Sequence, residues 1–534
     1  MNTSIHAIDA AILVAYLIML TSVGLYFSRR QTNLDEFFRA RQSMTWLPVG
    51  LSLMAALDSA IDYLMQPSST IKYGLILLVG TSSWLLLYPW VAKVTLPFYR
   101  RLNLYTTYEY LEARFDVRVR SLAAGIFIVW RLGWMATAIY VPCLAISAAT
   151  GGGIPLTGTI VALGVVVTFY TALGGVQAVI WNDVAQFMVR FGGLTAVLWI
   201  ASRSVPGGLT EIWEVASAAG KTTLFAPIAG SSGGVLAGVQ AFFEQPLNVV
   251  SIMFALMVGR MAAYVGDQIM VQRLQTTRSL KDARQAFIVT AAGDIIWMFA
   301  LSFVGLALFA YFQRHPLPPD FSTDKILPYF MSLTFPRGIV GLVIASIMAS
   351  SLSSVDSAIN SCTSVVVVDF YNRLVLGRQT GDRGDRSDDR RQVLVARAAT
   401  VAFGALGTLL AINVSRIGSL LEIANKLINA FTGPLFGIYL LAMFSRRATA
   451  VPVLIAGVLG SFTSYYVAYR TSIGFMWPST FGLAATLVVG WALAVMLRTQ
   501  PSAEALKLTW REVVGQTAFR DDAKTTKGTR PALQ

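Results

Sequence analysis

Apolar stretches of roughly 20 residues recur along nearly the whole chain, and each is long enough as a helix to cross a bilayer. Polar stretches separate them at short intervals. The pattern predicts about thirteen spans, at 10–27, 46–71, 74–97, 120–148, 154–173, 178–201, 235–264, 285–312, 338–370, 393–414, 418–444, 449–469 and 475–497. Glu244 and Pro246 interrupt the seventh, and Leu173, Gly174 and Gly175 separate the fifth from the sixth. We therefore expect an all-α polytopic protein whose main surroundings are the lipid bilayer.

Composition agrees with this expectation. Of 534 residues, 55% are hydrophobic and 13% charged, whereas soluble domains carry about 25% charged residues. The two cysteines, Cys143 and Cys362, fall in predicted spans, so no disulfide framework is expected. The sequence contains no HExxH, GxSxG or Walker A motif and no dinucleotide-binding loop. We therefore predict no cofactor and no enzyme activity, and we expect any transport to be driven by an ion gradient.

The net charge of +14 could indicate a nucleic-acid partner, but the positions of the charges favour a membrane. Basic residues concentrate in the loops that follow spans one, three, seven, nine and eleven, all on one side of a chain with thirteen spans. This is the positive-inside bias of cell-membrane proteins. It predicts an N-terminus outside an inner or plasma membrane, a cytoplasmic C-terminus and no nucleic-acid partner. The residues are Arg29, Arg30, Arg39, Arg41, Arg100, Arg101, Arg114, Arg118, Arg120, Arg273, Arg278, Lys281, Arg284, Arg373, those of 378–391, Arg446 and Arg447.

One apolar helix carries a row of hydroxyls, in the run IASIMASSLSSVDSAINS. At 3.6 residues per turn, Ser350, Ser353, Ser354 and Ser357 lie on one side of the helix, with Asp356 beside them. A lipid-facing helix has no use for so many oxygens. Hard cations need several oxygen ligands at close range, so the row predicts a cation site.

Acidic residues at membrane depth are expensive and are functional candidates by default. Asp58 and Asp62 lie four residues apart in span two, with Pro67 beyond, which predicts a broken helix whose freed carbonyls can bind a cation. The alternative is that these acids cap the helix or pair with Lys72 or Arg131. Asp183 follows a Gly-Gly bend and is a second candidate, with capping as its alternative. No specific role is assigned to Asp294, Arg260, Glu244 and Glu422, for which internal ion pairing is the default.

Five stretches together resemble the sodium/solute symporter family, most closely its bacterial sialic-acid transporter branch. They are LYTTYEYLEARFDVRVR at 104–120, YTALGGVQAVIWNDVAQ at 170–186, DQIMVQRL at 267–274, the serine run with VVDFYNRL at 336–374, and TGPLFGIYLLAMFSRRATA at 432–450. The resemblance implies a leucine-transporter-type core of two inverted five-helix repeats, at 46–201 and 235–445. Around it lie an extra helix and loop at 1–45, an extracellular loop at 202–234, two further helices at 446–499 and a cytoplasmic tail at 500–534.

The resemblance also implies sodium ligands. In the family, one site combines two carbonyls of the first broken helix with a carbonyl and two hydroxyls of the serine-rich helix, which here are Ala55, Asp58, Ser350, Ser353 and Ser354. A second site, present in some members, corresponds here to Ser353, Asp356, Ser357 and Asp183. The chain departs from the family at Asp356, Asn182 and Asp58, where a serine, a threonine and an apolar residue are usual. Two carboxylates around one ion either strengthen a monovalent cation site or leave one acid protonated.

The solute is less constrained. Positions that correspond to the sialic-acid pocket are Leu57, Ser59, Asp62, Thr81 and Trp134, with Arg131 one turn before the last. Trp134 stands where that branch has a carboxylate-binding arginine, and Asp62 replaces a small hydroxyl residue. These changes disfavour a simple anion and favour an amine, a zwitterion or a polyol, since a cation can also lie over an indole ring. Sialic acid is therefore not carried over as the substrate.

The prediction is a sodium-coupled secondary active symporter that imports a small organic solute by alternating access. A proton-coupled carrier that uses Asp58, Asp62, Asp183 or Asp356 is the first alternative. A membrane enzyme or sensor on the same scaffold is the second, but the sequence offers no nucleophile-and-base pair at membrane depth. A channel is disfavoured because the polar groups cluster at mid-membrane.

Overall fold

A computed structural model describes residues 6–28, 42–102, 104, 106–173, 176–225, 234–377, 386–498 and 500–515. Its regular structure is helical. The α-helices are α1 (Ala7–Ser28), α2 (Trp46–Leu57), α3 (Ala60–Tyr73), α4 (Ser83–Trp90), α5 (Leu96–Leu102), α6 (Thr107–Arg114), α7 (Val117–Ala149), α8 (Leu156–Leu173), α9 (Val176–Arg203), α10 (Gly208–Ala218), α11 (Gly234–Glu244), α12 (Val249–Gly266), α13 (Gln268–Gln275), α14 (Leu280–Arg314), α15 (Ile326–Thr334), α16 (Ile339–Val365), α17 (Arg386–Ala411), α18 (Leu420–Ile423), α19 (Thr432–Phe444), α20 (Ala450–Arg470), α21 (Pro478–Met496), α22 (Ala503–Lys507) and α23 (Trp510–Gly515). Tighter 3₁₀ turns occupy Gly74–Ser82, Thr323–Lys325 and Val414–Arg416, and wider π turns occupy Val91–Thr95, Val366–Val375 and Ala424–Asn429.

The length and apolarity of the helices confirm a multi-pass membrane protein. Nine helical stretches within the described residues are long and apolar enough to cross a bilayer, and shorter apolar helices add to them. The helices follow the predicted spans, with differences at the seventh. Residues 29–41, 174–175, 378–385 and 516–534 lie outside the described residues, as do the basic residues placed there. The predicted loop 378–391 is wrong in its last six residues, because α17 begins at Arg386, and the described part of the tail 500–534 contains α22 and α23.

The predicted break in the second span is confirmed. The chain leaves α2 at Asp58, an extended residue with φ −91° and ψ 124°, and re-enters a helix at Ala60. Ser59 caps the new helix, because its hydroxyl accepts the Ile61 N–H, while the Asp62 carboxylate accepts the Ser59 N–H. This reciprocal cap stabilises the break, because the N–H groups of Ser59 and Ile61 both have acceptors.

The seventh span differs from its predicted bounds. The apolar run 235–264 is two helices, since α11 ends at Glu244 and α12 begins after Asn248, which caps it. The helix then breaks at Asp267 and continues as α13. Because the polar residues of α13 end the apolar run early, its second half was missed in the sequence.

The serine-rich helix α16 lies at the centre of the bundle. It packs against α9, α7, α1 and both halves of the first broken helix. All four serines of the hydroxyl row and Asp356 are at most 1% exposed. The row therefore faces protein and not lipid, as the sequence predicts.

Three of the arginines assigned to cytoplasmic loops are buried. Arg114 donates to the carbonyls of Ala442 and Ser445, and Arg120 pairs with Asp369 at 2.6 Å. Arg273 lies inside the bundle on α13. These residues are structural or internal charges, so the count of basic loop residues is smaller than the sequence indicates.

Candidate functional site

The hydroxyl row meets the end of α2 directly. Ser353 Oγ donates to the Ala55 carbonyl at 3.0 Å, and Ser354 Oγ lies 3.5 Å from the same oxygen. Both hydroxyls also lie within 3.4 Å of the Ser350 carbonyl. Four of the five oxygen ligands that the resemblance implies thus converge from two elements. Hydroxyls and carbonyls are hard donors, so this set fits an alkali cation.

The fifth implied ligand, Asp58, carries a partner that the sequence analysis did not identify. The Asp58 carbonyl accepts from Arg190 Nη1 at 2.8 Å, and its carboxylate lies 3.3 Å from Arg190 Nη2. Arg190 is 1% exposed and stacks over the Trp297 ring, 4.4 Å from its centre. The sequence does show this residue, because Arg190 is the one basic residue in the apolar run 178–201. Asp58 therefore pairs with Arg190, and not with Lys72 or Arg131.

A second oxygen cluster lies beside the first and joins four helices. Asp183 Oδ2 accepts from Ser52 Oγ at 2.5 Å and from Arg273 at 3.1 Å. Arg273 also donates to Ser357 Oγ at 2.5 Å. Asp356 lies next to Ser357, at 3.3 Å from its hydroxyl. The implied second-site residues Asp183, Asp356 and Ser357 are thus brought together, and Asp183 is not a simple helix cap.

The new member of this cluster is Arg273. Two carboxylates and one guanidinium leave a net charge of −1, which one monovalent cation would balance. Asp183 Oδ1 is buried and has no hydrogen-bond partner among the described residues, so the cluster has an oxygen to spare. Tyr170 supplies a hydroxyl 3.3 Å from the Asp356 carboxylate.

A cavity of about 170 Å³ lies between the two helix breaks. Five of the six predicted solute-pocket residues line it, namely Leu57, Ser59, Asp62, Arg131 and Trp134. Thr81 is not among the lining residues, and its hydroxyl donates to the Leu78 carbonyl of its own turn at 2.7 Å. Thr81 is therefore the one predicted pocket residue that the structure does not bring to this cavity, and its role stays a prediction.

Charged pairs form much of the cavity wall. Arg131 pairs with Asp267 at the second break, and its guanidinium lies 4.2 Å from the centre of Trp130 and 5.2 Å from that of Trp134. The cation over Trp134 is thus a residue of the protein. Arg260 pairs with Asp294 at 2.8 Å, and Trp84 donates to the same carboxylate.

Arg260 and Asp294 thus form the internal ion pair that was expected by default, and both residues line the cavity. The other two residues without a specific role do not line the cavity. Glu422 pairs with Lys426 at 3.6 Å, and Glu244 accepts from Ser472.

Comparison with known proteins identifies relatives along most of the chain. Residues 37–460 match the family described as the sodium:solute symporter family. The sodium/sialic acid symporter NanT of Aliivibrio fischeri is 29% identical over 501 residues, which cover 92% of this chain and 94% of that protein. A putative sodium-dependent multivitamin transporter of Drosophila melanogaster is 30% identical over 464 residues, covering 83% of this chain and 72% of that protein.

A solved structure shares the whole architecture. It is the substrate-bound outward-open state of a Na⁺-coupled sialic acid symporter, and it superposes with a TM-score of 0.81 at 27% identity. The alignment covers 94% of this chain and 100% of that one. The inverted-repeat fold implied by the resemblance is thereby confirmed.

Proposed function

Because this chain belongs to the sodium:solute symporter family and couples sodium to the transport of a small organic solute, we propose which residues bind each. The main sodium ion is held by the carbonyls of Ala55, Asp58 and Ser350 and the hydroxyls of Ser353 and Ser354. The observation that carries this assignment is the contact between Ser353 and Ala55 at 3.0 Å. It joins the first helix break to α16 through oxygens alone.

An ion at this contact would couple to conformation for a physical reason. Its ligands come from two elements, α2 and α16, and a ligand stabilises the conformations in which it binds better. A cation between the Ala55 carbonyl and the two hydroxyls favours states in which both elements are in contact. The first break also forms one wall of the solute cavity, so sodium would order the residues that the solute meets.

A second sodium ion is assigned to Asp183, Asp356 and Ser357. The net charge of −1 at this cluster and the spare oxygen of Asp183 support it. Arg273 shares the cluster, so one carboxylate is already neutralised and neither acid needs to be protonated. This charge balance favours sodium over the proton-coupled alternative at this site.

The orientation in the membrane is inferred from the side of the bundle on which the basic loops and the last described helix lie together. Arg101 donates to the carbonyls of Val513 and Val514, and Arg446 lies 3.6 Å from Glu512. The C-terminal helix α23 therefore lies beside two of the basic loops. We place this side in the cytoplasm of an inner or plasma membrane, and the N-terminus outside.

Uptake into proteoliposomes tests the main site. Ser353→Ala and Ser354→Ala should each raise the sodium concentration for half-maximal uptake by about tenfold or more, since each removes an ion ligand. Ser364→Ala is the matched control, because Ser364 lies on the same helix and its hydroxyl is bonded to the Ser361 carbonyl at 2.8 Å. The control should leave the sodium dependence unchanged.

Two results would contradict the proposal. One is uptake that continues when choline replaces sodium at fixed pH, which would indicate a proton-coupled carrier. The other is an equal loss of sodium affinity in Ser364→Ala, which would indicate a general loss of helix stability.

A further inference from the structure

The solute cavity has an excess of hydrogen-bond acceptors on one wall. This wall is the first turns of α3, where Asp62 and Gln66 lie four residues apart and both line the cavity. Residues at this spacing lie on the same side of a helix, one above the other. The two side chains therefore face the cavity as a pair.

Asp62 is the acid of the cavity that lacks a cationic partner. Asp58, Asp267 and Asp294 each form an ion pair with an arginine. The Asp62 carboxylate uses one oxygen, Oδ2, to accept the Ser59 N–H at 2.8 Å, and no ion pair reaches it within the described part of the chain. Its side chain is only partly buried, because it borders the cavity. The wall therefore carries one carboxylate that has no ion-pair partner among the described residues.

Gln66 adds an acceptor whose orientation is fixed by its neighbour. Ser302 has a single hydroxyl hydrogen, which it donates to the Met298 carbonyl at 2.8 Å. Towards Gln66, Ser302 can thus only accept, and it takes the amide N–H₂ at 2.8 Å. The amide oxygen consequently points elsewhere, and this Oε1 is buried with no partner among the described residues. A buried acceptor without a donor costs about 1–3 kcal/mol.

We infer that the transported solute carries a protonated primary or secondary amine, bound by the carboxylate of Asp62 and the amide oxygen of Gln66. The inference rests on the proposed function, because it assigns this cavity to the solute. An ammonium group supplies the missing positive charge and at least two N–H donors. A carboxylate would meet an unpaired acid and an acceptor, and a quaternary amine would bring charge without a donor for Gln66.

The part of the wall formed by α7 favours an oxygen on the solute. Trp130 and Trp134 line the cavity on α7, and their indole N–H groups have no acceptor within the described residues. These donors suit a hydroxyl or carboxylate oxygen. The cavity volume of about 170 Å³ lies below the ~300–1,000 Å³ of drug-sized sites, which favours a compact amino acid or amino alcohol.

Thermal unfolding of the purified full-length protein tests the inference. The unfolding midpoint is measured with sodium or potassium, alone and with a panel of amino acids, amino alcohols, polyols, monocarboxylates and sialic acid. The best sodium-dependent binder is then compared with its N-acetyl and N-trimethyl derivatives. The first removes the positive charge, the second removes the N–H donors, and each should weaken binding about tenfold or more.

Asp62→Asn separates recognition from folding. Asparagine keeps an oxygen for the Ser59 N–H but loses the charge, so amine affinity should fall about tenfold or more while stabilisation by sodium alone remains. Asp369→Asn is the control, because Asp369 is a buried aspartate paired with Arg120 away from the cavity. It should leave amine affinity unchanged.

The possible outcomes are distinct. If sodium alone gives no stabilisation over potassium, the proposed sodium site fails. If sodium stabilises the protein but the binders lack an amine, or no primary or secondary amine binds, the sodium site stands and the inference about the solute is overturned. An N-trimethyl derivative that binds as well as its parent would also overturn it.

Discussion

The two broken helices stop at aspartates with nearly the same backbone conformation. Asp58 has φ −91° and ψ 124°, and Asp267 has φ −89° and ψ 115°. Each carboxylate lies against a buried arginine from another helix, Arg190 at the first break and Arg131 at the second. In both places an extended residue interrupts a helix at membrane depth, where freed backbone groups must find partners.

The two breaks differ in the side chains that accept hydrogen bonds from the freed backbone N–H groups. At the second, Asp267 does so alone, since one oxygen accepts the Ile269 N–H at 2.9 Å and the other binds Arg131. At the first, Ser59 and Asp62 form the cap, and Asp58 is left to Arg190. The Ala55 carbonyl then faces the hydroxyls of α16. The two breaks therefore share a backbone conformation, but only at the first does a freed carbonyl meet the hydroxyls of α16, which is where we propose the main sodium site.

The largest effect is expected from breaking either charge pair. Arg190→Gln and Arg131→Gln each leave a buried carboxylate alone, which should lower the free energy of unfolding by about 3–5 kcal/mol. The double variants with Asp58→Asn and Asp267→Asn should recover much of that loss, because no charge remains unpaired. Unfolding of the four variants by denaturant measures the loss and its recovery.

A loss as large in the double variants as in the single ones would show that the arginines act through shape and not charge. A loss at one break alone would show that the two pairs are not equivalent.

The second oxygen cluster connects the two broken helices, through Ser52 of α2 and Arg273 of α13. Asp183→Asn removes the charge that a second sodium ion would balance, so the Hill coefficient of uptake for sodium should fall from about 2 to about 1. Asp369→Asn, the same exchange at another buried Asp–Arg pair, should leave the coefficient unchanged. An unchanged coefficient in Asp183→Asn would count against a second ion.

The smallest effect is expected at the cap of the first break. Ser59→Ala removes the acceptor for the Ile61 N–H and should cost about 1 kcal/mol of stability. Ser59→Asn should restore it, since asparagine caps as well as serine does. If both variants lower the unfolding midpoint equally, the serine contributes by its size and not by capping.

Much of the fold could be predicted from local patterns in the sequence. Apolar run length predicts the spans, because a bilayer fixes how many residues a helix needs to cross it. Two acids near a proline predict the first break. The second break was not placed from local pattern, because α13 is polar and reads as a loop that follows a span.

The site was predicted in part. The row from Ser350 to Ser357 follows from helical spacing alone, and its contact with Ala55 agrees with the implied ligand set. Arg190 and Arg273 were missed as site members, although both are visible as charges. Thr81 does not line the cavity, because correspondence in sequence does not fix where a side chain points.

By itself, then, the sequence determined that the chain crosses a membrane many times and that one helix carries a row of hydroxyl oxygens on one side. Both properties depend on neighbours within a few residues. Only the tertiary structure decided which charges neutralise one another, because Arg190 and Asp58, or Arg273 and Asp183, are separated by about a hundred residues and meet only when the helices pack. Among the described residues, that pairing leaves Asp62 without an ion-pair partner, and no local pattern could have shown it.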